Sequence, residues 1–98
     1  MSRHQLIFVD VQQAARDNPV TFQAPSQAEL DELRPGDSVK VQLGNERLWV
    51  LVLTVSSDRF TGTVDTEGLR ELRHGEVIHV EPRHVLDCWR SSDNHEEA

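Results

Sequence analysis

A two-residue turn signal at Gly44-Asn45 constrains the fold of this chain more than any other feature of its sequence. Val39 and Val41 alternate with polar residues before the turn, which is the pattern of a half-buried strand. Glycine tolerates the positive φ that a type II′ turn needs, so an antiparallel hairpin is predicted. A turn this short also fixes the register of the two strands. The predicted pairs are Leu43 with Glu46, Val41 with Leu48, Lys40 with Trp49, and Val39 with Val50.

The second strand of the hairpin, predicted over 46–55, is apolar on both faces. Val50 and Val52 would line the inside of a small barrel, while the opposite face would present three further apolar side chains. These outward side chains are Trp49, Leu51 and Leu53. Such a patch is large for a free surface, so we expect the N-terminal segment to cover it. The cover would come from the apolar residues at 30 and 33 or from those at 6–9.

Short strands with glycine turns between them continue beyond the hairpin. Residues 37–81 are predicted to form four antiparallel strands of one curled sheet, and a 3₁₀ turn is predicted over 83–86. Two short helices are predicted before the sheet, one capped by Asp10 and one beginning with a Ser26–Glu29 capping box. We therefore expect a mainly β fold: a small five-stranded SH3-like or Tudor-like antiparallel barrel with an N-terminal helical extension, α+β overall. The predicted domain spans 1–90, with the barrel at about 36–90 and a disordered acidic tail at 91–98.

Composition and charge narrow the classes of partner. The 98 residues include 10 basic and 17 acidic side chains, for a net charge of −7, which counts against a nucleic-acid partner. A single cysteine, Cys88, excludes an internal disulfide and is typical of a reducing compartment. The sequence shows neither an apolar run of membrane-spanning length nor a signal-peptide pattern. We expect a cytoplasmic protein without a membrane partner.

Two motifs along the chain are similar to those of a known family. The first is Pro25-Ser26 followed by Leu33 and then by Gly36-Asp37 and Val39-Lys40-Val41; the second is Trp49-Val50 followed by Gly62 and Asp65. Residues 21–89 resemble the bacterial YegJ-like domain of unknown function, whose members are thought of as small SH3-like or Tudor-like barrels. The resemblance implies this fold and no established reaction. Residues 66–68 depart from the family, whose members often carry an Asn-Asp pair after the position of Asp65.

Metal binding and catalysis are not expected. His74, His79 and His84 recur every five residues, which in a strand places neighbours on opposite faces, and a closed zinc site wants four convergent ligands. Cys88 lies between apolar neighbours, so we interpret it as a buried, inert thiol. The sequence carries no nucleophile elbow, phosphate-binding loop or zinc-protease motif. We therefore predict no enzyme, no cofactor and no metal.

Trp49 is the best candidate for a binding residue. The predicted hairpin places Lys40 across from it, with Arg47 and Gln42 beside it, and a tryptophan among long polar side chains is a common binding platform. We predict a non-catalytic bacterial interaction module that binds a protein or peptide, with an accessory or immunity-type protein acting on a toxin or effector as the specific version. It would be a monomer or a weak homodimer. The alternative is a small-molecule or single-stranded nucleic-acid binder that uses Trp49 as a stacking platform.

Overall fold

A computed structural model describes residues 6–91 of the chain. These residues form two short helices and a five-stranded antiparallel sheet. In chain order the elements are α1 (Val11–Asp17), α2 (Gln27–Asp31), β1 (Ser38–Leu43), β2 (Glu46–Val55), β3 (Phe60–Val64), β4 (Val77–Val80), a 3₁₀ turn (Pro82–His84) and β5 (Asp87–Trp89). The acidic tail was predicted over 91–98. Residues 92–98 lie outside the described residues. Among residues 6–91, no helix combines the length and hydropathy needed to cross a membrane.

The β1–β2 hairpin has the predicted register. Leu43 pairs with Glu46 and Lys40 pairs with Trp49, as the two-residue turn requires. Gly44 has a φ of +62°, and no non-glycine residue among those described has a positive φ, which fits the predicted type II′ turn. Four antiparallel strands within 37–81, and a strand throughout 46–55, are confirmed.

The sheet is not a closed barrel, so the predicted closure is wrong. The strand order is β4-β3-β2-β1-β5, with β4 and β5 at opposite edges. β4 ends after Val80 because Pro82 has no N–H to donate and the N–H of Glu81 donates to His84 Nδ1 at 3.1 Å. β5 has only three residues, and all three pair with β1. A gap therefore remains beside β4.

The N-terminal segment packs on the inner face of the sheet, so its predicted place over the outer face is also wrong. Asp10 caps α1 and the Ser26–Glu29 capping box begins α2, as predicted. Leu30 and Leu33 are buried in one core cluster with the inward valines of β1 and β2. An open sheet exposes the end of its core, and burying these leucines there removes more apolar surface from water than covering a face that already carries polar side chains.

Asp37 holds the start of β1 to the end of β5. Its buried carboxylate accepts the N–H of Arg34 at 2.9 Å and the N–H of Ser91 at 3.0 Å. The N–H of Val52 donates to the Asp37 carbonyl at 2.8 Å, so the same residue also continues the hairpin ladder. Asp37 therefore closes the turn before β1 and links it to the C-terminal end of the sheet.

Candidate functional site

The four predicted site residues lie together on the outer face of the β1–β2 hairpin. Lys40 pairs with Trp49, and its Nζ lies 5.7 Å from the centroid of the Trp49 ring, within cation–π range. Gln42 pairs with Arg47, whose Nε donates to Gln42 Oε1 at 3.1 Å. Gln42 Nε2 in turn donates to the Gly44 carbonyl at 2.9 Å. The outer face thus presents a half-buried indole beside two cations held in fixed positions.

Lys40 and Arg47 are set apart from the other cations of this acidic chain by their place on the sheet. Among residues 6–91, the ion pairs of arginine involve Arg59, Arg83 and Arg90. Lys40 lies over the ring of Trp49. Arg47 belongs to the neighbouring outward-facing pair of the hairpin, Gln42 with Arg47. Two cations next to an indole on one surface have the chemistry to contact both apolar and anionic groups.

A second tryptophan, which the sequence reasoning did not include in the site, shares this face. Trp89 of β5 pairs with Ser38 of β1, and Ser38 pairs with Leu51 of β2. Directly paired residues point to the same face of a sheet, so the small Ser38 side chain separates two apolar neighbours. Trp89 is 46% exposed. The sequence alone did not place Trp89 on this face, because β5 has only three residues and so short a segment shows no alternation that would predict a strand.

This row continues to the opposite edge of the sheet. Leu51 pairs with Thr63, and Thr63 pairs with Val77 of β4, which is 57% exposed. Paired positions from all five strands therefore form one line across the outer face. We name the outer-face row by its members: Trp89, Ser38, Leu51, Thr63 and Val77.

The loop after β3 anchors the backbone of Trp49. The N–H of Trp49 donates to Thr66 Oγ1 at 2.9 Å, and the N–H of Asp65 donates to the Trp49 carbonyl at 2.8 Å. Thr66 therefore fixes the position on β2 that carries the indole.

A cleft of about 600 Å³ follows the outer edge of β4, which pairs with no further strand among residues 6–91 and which we call the free edge. Its lining residues in and around β4 have both inward and outward side chains, so the cleft runs along the strand edge and not along one face of the sheet. Leu6 and Phe8 form the opposite wall, with the buried His84 between. The complete lining is Leu6, Phe8, Asp58, Arg59, Glu76, Val77, Ile78, His79, Glu81 and His84. Sequence reasoning missed this cleft, because an edge exists only once the strand order is known.

Burial is the largest cause of the pKa shifts of Cys88 and His84. Burial, reinforced by nearby carboxylates beginning with Glu29, raises the pKa of the Cys88 thiol to about 11. Burial, followed by the Arg83 guanidinium, lowers the pKa of His84 below its ordinary 6.5. His84 also lies against Phe8, with 5.6 Å between ring centroids. Within residues 6–91, no group of three or more His, Cys, Asp and Glu side chains is placed to hold a metal ion.

Comparison of the chain with protein-family models, with curated proteins and with solved structures finds no match. The resemblance of residues 21–89 to the YegJ-like domain has no support from these comparisons. The site is therefore defined by the contacts of the chain's own residues.

Proposed function

We propose that this protein is a non-catalytic interaction module that binds a protein or peptide across the outer face of its sheet. The observation that carries the proposal is the convergence of Lys40, Gln42, Arg47 and Trp49 on one face, next to the outer-face row. Tryptophan and arginine are the residues most enriched at the energetic centres of protein interfaces. A partner that covers Trp49 and Trp89 would bury two indoles that water otherwise contacts.

The polar groups of the face suit recognition and not chemistry. Lys40 and Arg47 would orient a carboxylate of the partner, and Gln42 holds the Arg47 guanidinium in place for that contact. Asp87 pairs with Lys40 at the edge of the face and gives the site a polar rim. A recess of about 400 Å³ beside Lys40 and Arg47 offers room for one partner side chain.

We also propose the finer identity of the fold and its setting. The order β5-β1-β2-β3-β4, with a 3₁₀ turn between β4 and β5, is typical of SH3-like barrels and supports that fold in an open form. The YegJ-like resemblance supports a bacterial origin, and the single cysteine supports a cytoplasmic setting. An accessory or immunity-type protein that binds a toxin or effector is the specific version of this function.

Capture of partners from an extract of the native host tests the proposal. The wild type is compared with Trp49→Ala and Trp89→Ser, and Ile7→Ala is the matched control because Ile7 is an exposed apolar residue outside the outer-face row. A partner identified by mass spectrometry is then purified and its affinity for each variant is measured by calorimetry. We expect each tryptophan variant to bind at least about tenfold more weakly, and Ile7→Ala to bind as the wild type does.

Two results would contradict the proposal. Equal affinity of all four proteins would place the interaction on another surface. Binding of single-stranded nucleic acid or of a small molecule that is lost in Trp49→Ala, with no protein partner captured, would favour the alternative of a stacking platform.

A further inference from the structure

We propose that the free edge of β4 accepts an extended strand from a partner protein, a basic segment with an apolar centre that hydrogen-bonds the backbone of Val77 and His79. This site uses backbone groups of β4 and shares only Val77 with the outer-face row, and its partner adds a strand to the sheet at the gap where the barrel is open. Strand addition to an exposed edge is an established way for proteins to bind peptides.

The hydrogen-bond pattern of the β3–β4 ladder shows which backbone groups are available. The N–H of Val64 donates to the Glu76 carbonyl at 2.9 Å, so the carbonyl of Glu76 points to β3. Hydrogen-bonded and non-hydrogen-bonded pairs alternate in an antiparallel ladder. The pairs of Val77 and His79 with β3 are therefore non-hydrogen-bonded, and their N–H and C=O groups point to the free edge.

The neighbouring cleft has the size and position that an added strand needs. It extends along β4 from Glu76 to Glu81, six residues whose extended backbone spans roughly 16 Å. Its far wall comes from Leu6 and Phe8, and Phe8 is held in place by a bridge to Leu43 of β1. A strand between β4 and this wall would hydrogen-bond the edge N–H and C=O groups of β4. Its inward side chains would be buried against apolar surface.

The charges around the cleft favour a basic peptide as its ligand. The carboxylates of Asp58, Glu76 and Glu81 line it, against the single guanidinium of Arg59. Arg83, at the flank of the cleft, pairs with both Glu81 and Asp10, and with Arg83 and Asp10 included the surroundings carry two more negative than positive charges. His84, whose pKa is lowered by burial, adds no positive charge at neutral pH.

The spacing of these charges refines the ligand. Glu76, which accepts the N–H of Arg73, lies at one end of the cleft, and at the other end Glu81 pairs with Arg83 and Asp58 pairs with Arg59. Lysine or arginine residues about five positions apart in the ligand would add to these contacts, because a carboxylate can accept hydrogen bonds from more than one cation. Between them, an apolar side chain would face Phe8 and Ile78.

A displayed library of random linear peptides, selected on the folded protein, supplies the probe. Selected peptides are synthesised and their affinities are measured for the wild type and for Val77→Pro, which removes one edge N–H without removing a donor to β3. Val77→Thr is the matched control, because it keeps the N–H and the shape of the side chain. We expect basic peptides that bind Val77→Pro about tenfold more weakly and bind Val77→Thr and Trp49→Ala as they bind the wild type.

Two measurements keep the proposal testable if Val77→Pro does not fold. A peptide N-methylated at the residues that face β4 should lose its affinity for the wild type. Amide hydrogen exchange of Val77 and His79 should be fast in the free protein and at least about tenfold slower with bound peptide.

Four results would overturn the proposal. The first is that no peptide is selected above background, and the second is that the selected peptides need Trp49 and do not need the β4 edge. The third is that the amides of Val77 and His79 are already protected from exchange in the free protein. The fourth is that the protein self-associates and that Val77→Pro abolishes this association. The last result would make a second copy of this chain the occupant.

Discussion

Gly62 lies in β3 opposite Val52, next to the irregularity between Val52 and Thr54 in the β2–β3 ladder. A Cβ at this position would come within 2.8 Å of the Val50 side chain and would overlap the Leu51 carbonyl oxygen. The overlap is with backbone, which cannot move without breaking the ladder. This glycine is therefore required by the close approach of β2 and β3.

We predict that Gly62→Ala lowers the free energy of unfolding by about 3 kcal/mol, the cost typical of overpacking in a strand. Urea unfolding followed by circular dichroism measures it. Gly68→Ala is the control, because its φ of +80° adds backbone strain but no atom lies within 4 Å of a new Cβ. Its cost should be about 1–2 kcal/mol. An equal or smaller loss for Gly62→Ala would contradict the predicted overlap.

His84 makes the stability of the fold depend on pH. Its folded pKa lies below the ordinary value of 6.5, because burial and Arg83 outweigh the opposite effect of Glu81 and Asp10. Below about pH 6.5 the unfolded chain therefore binds more protons than the folded one, so the free energy of unfolding falls as the pH falls towards the folded pKa.

We predict that this loss is smaller in His84→Gln, which removes the imidazole. Urea unfolding at about pH 7.5 and about pH 5 measures the change for both proteins. The imidazole also accepts the N–H of Glu81, so the variant is expected to be less stable at both pH values. An unchanged pH dependence would show that other groups cause it.

At the scale of elements, the N-terminal helical segment is part of the core and not a cover for the outer face. We predict that Leu33→Ala costs about 2–5 kcal/mol, because it leaves a cavity where Leu33 is fully buried. Leu53→Ala, at a position 43% exposed, should cost less than about 1 kcal/mol. Thermal unfolding of both variants shows which one loses more stability. A larger loss for Leu53→Ala would instead support the prediction that the N-terminal segment covers the outer face.

The sequence predicted elements whose determinants are local. A glycine turn and alternation fixed the register of the hairpin, and capping residues fixed the starts of both helices. It did not predict which face of the sheet Leu30 and Leu33 would pack against, because two apolar side chains can pack against any apolar surface. The four residues of the outer face were found because one hairpin carries them all. Trp89 and the β4 cleft depend on contacts distant in sequence, and these were missed.

At the scale of the whole molecule, one core cluster joins residues as far apart as Phe8 and Val85. We predict that deleting residues 1–34 prevents folding, because it removes three buried members of that cluster: Phe8, Leu30 and Leu33. Circular dichroism of the shortened chain should lack a cooperative thermal transition. A shortened chain that unfolds cooperatively near the temperature of the full chain would show that the sheet is sufficient by itself.

The position of the two tryptophans has a spectroscopic consequence. The chain has two tryptophans and no tyrosine, and both indoles lie on the outer face. Its intrinsic fluorescence therefore reports on that face and not on the core. A partner covering Trp49 should shift the emission, whereas a strand added beside β4 should leave it nearly unchanged. A simple optical titration thus separates the two modes of binding without a label.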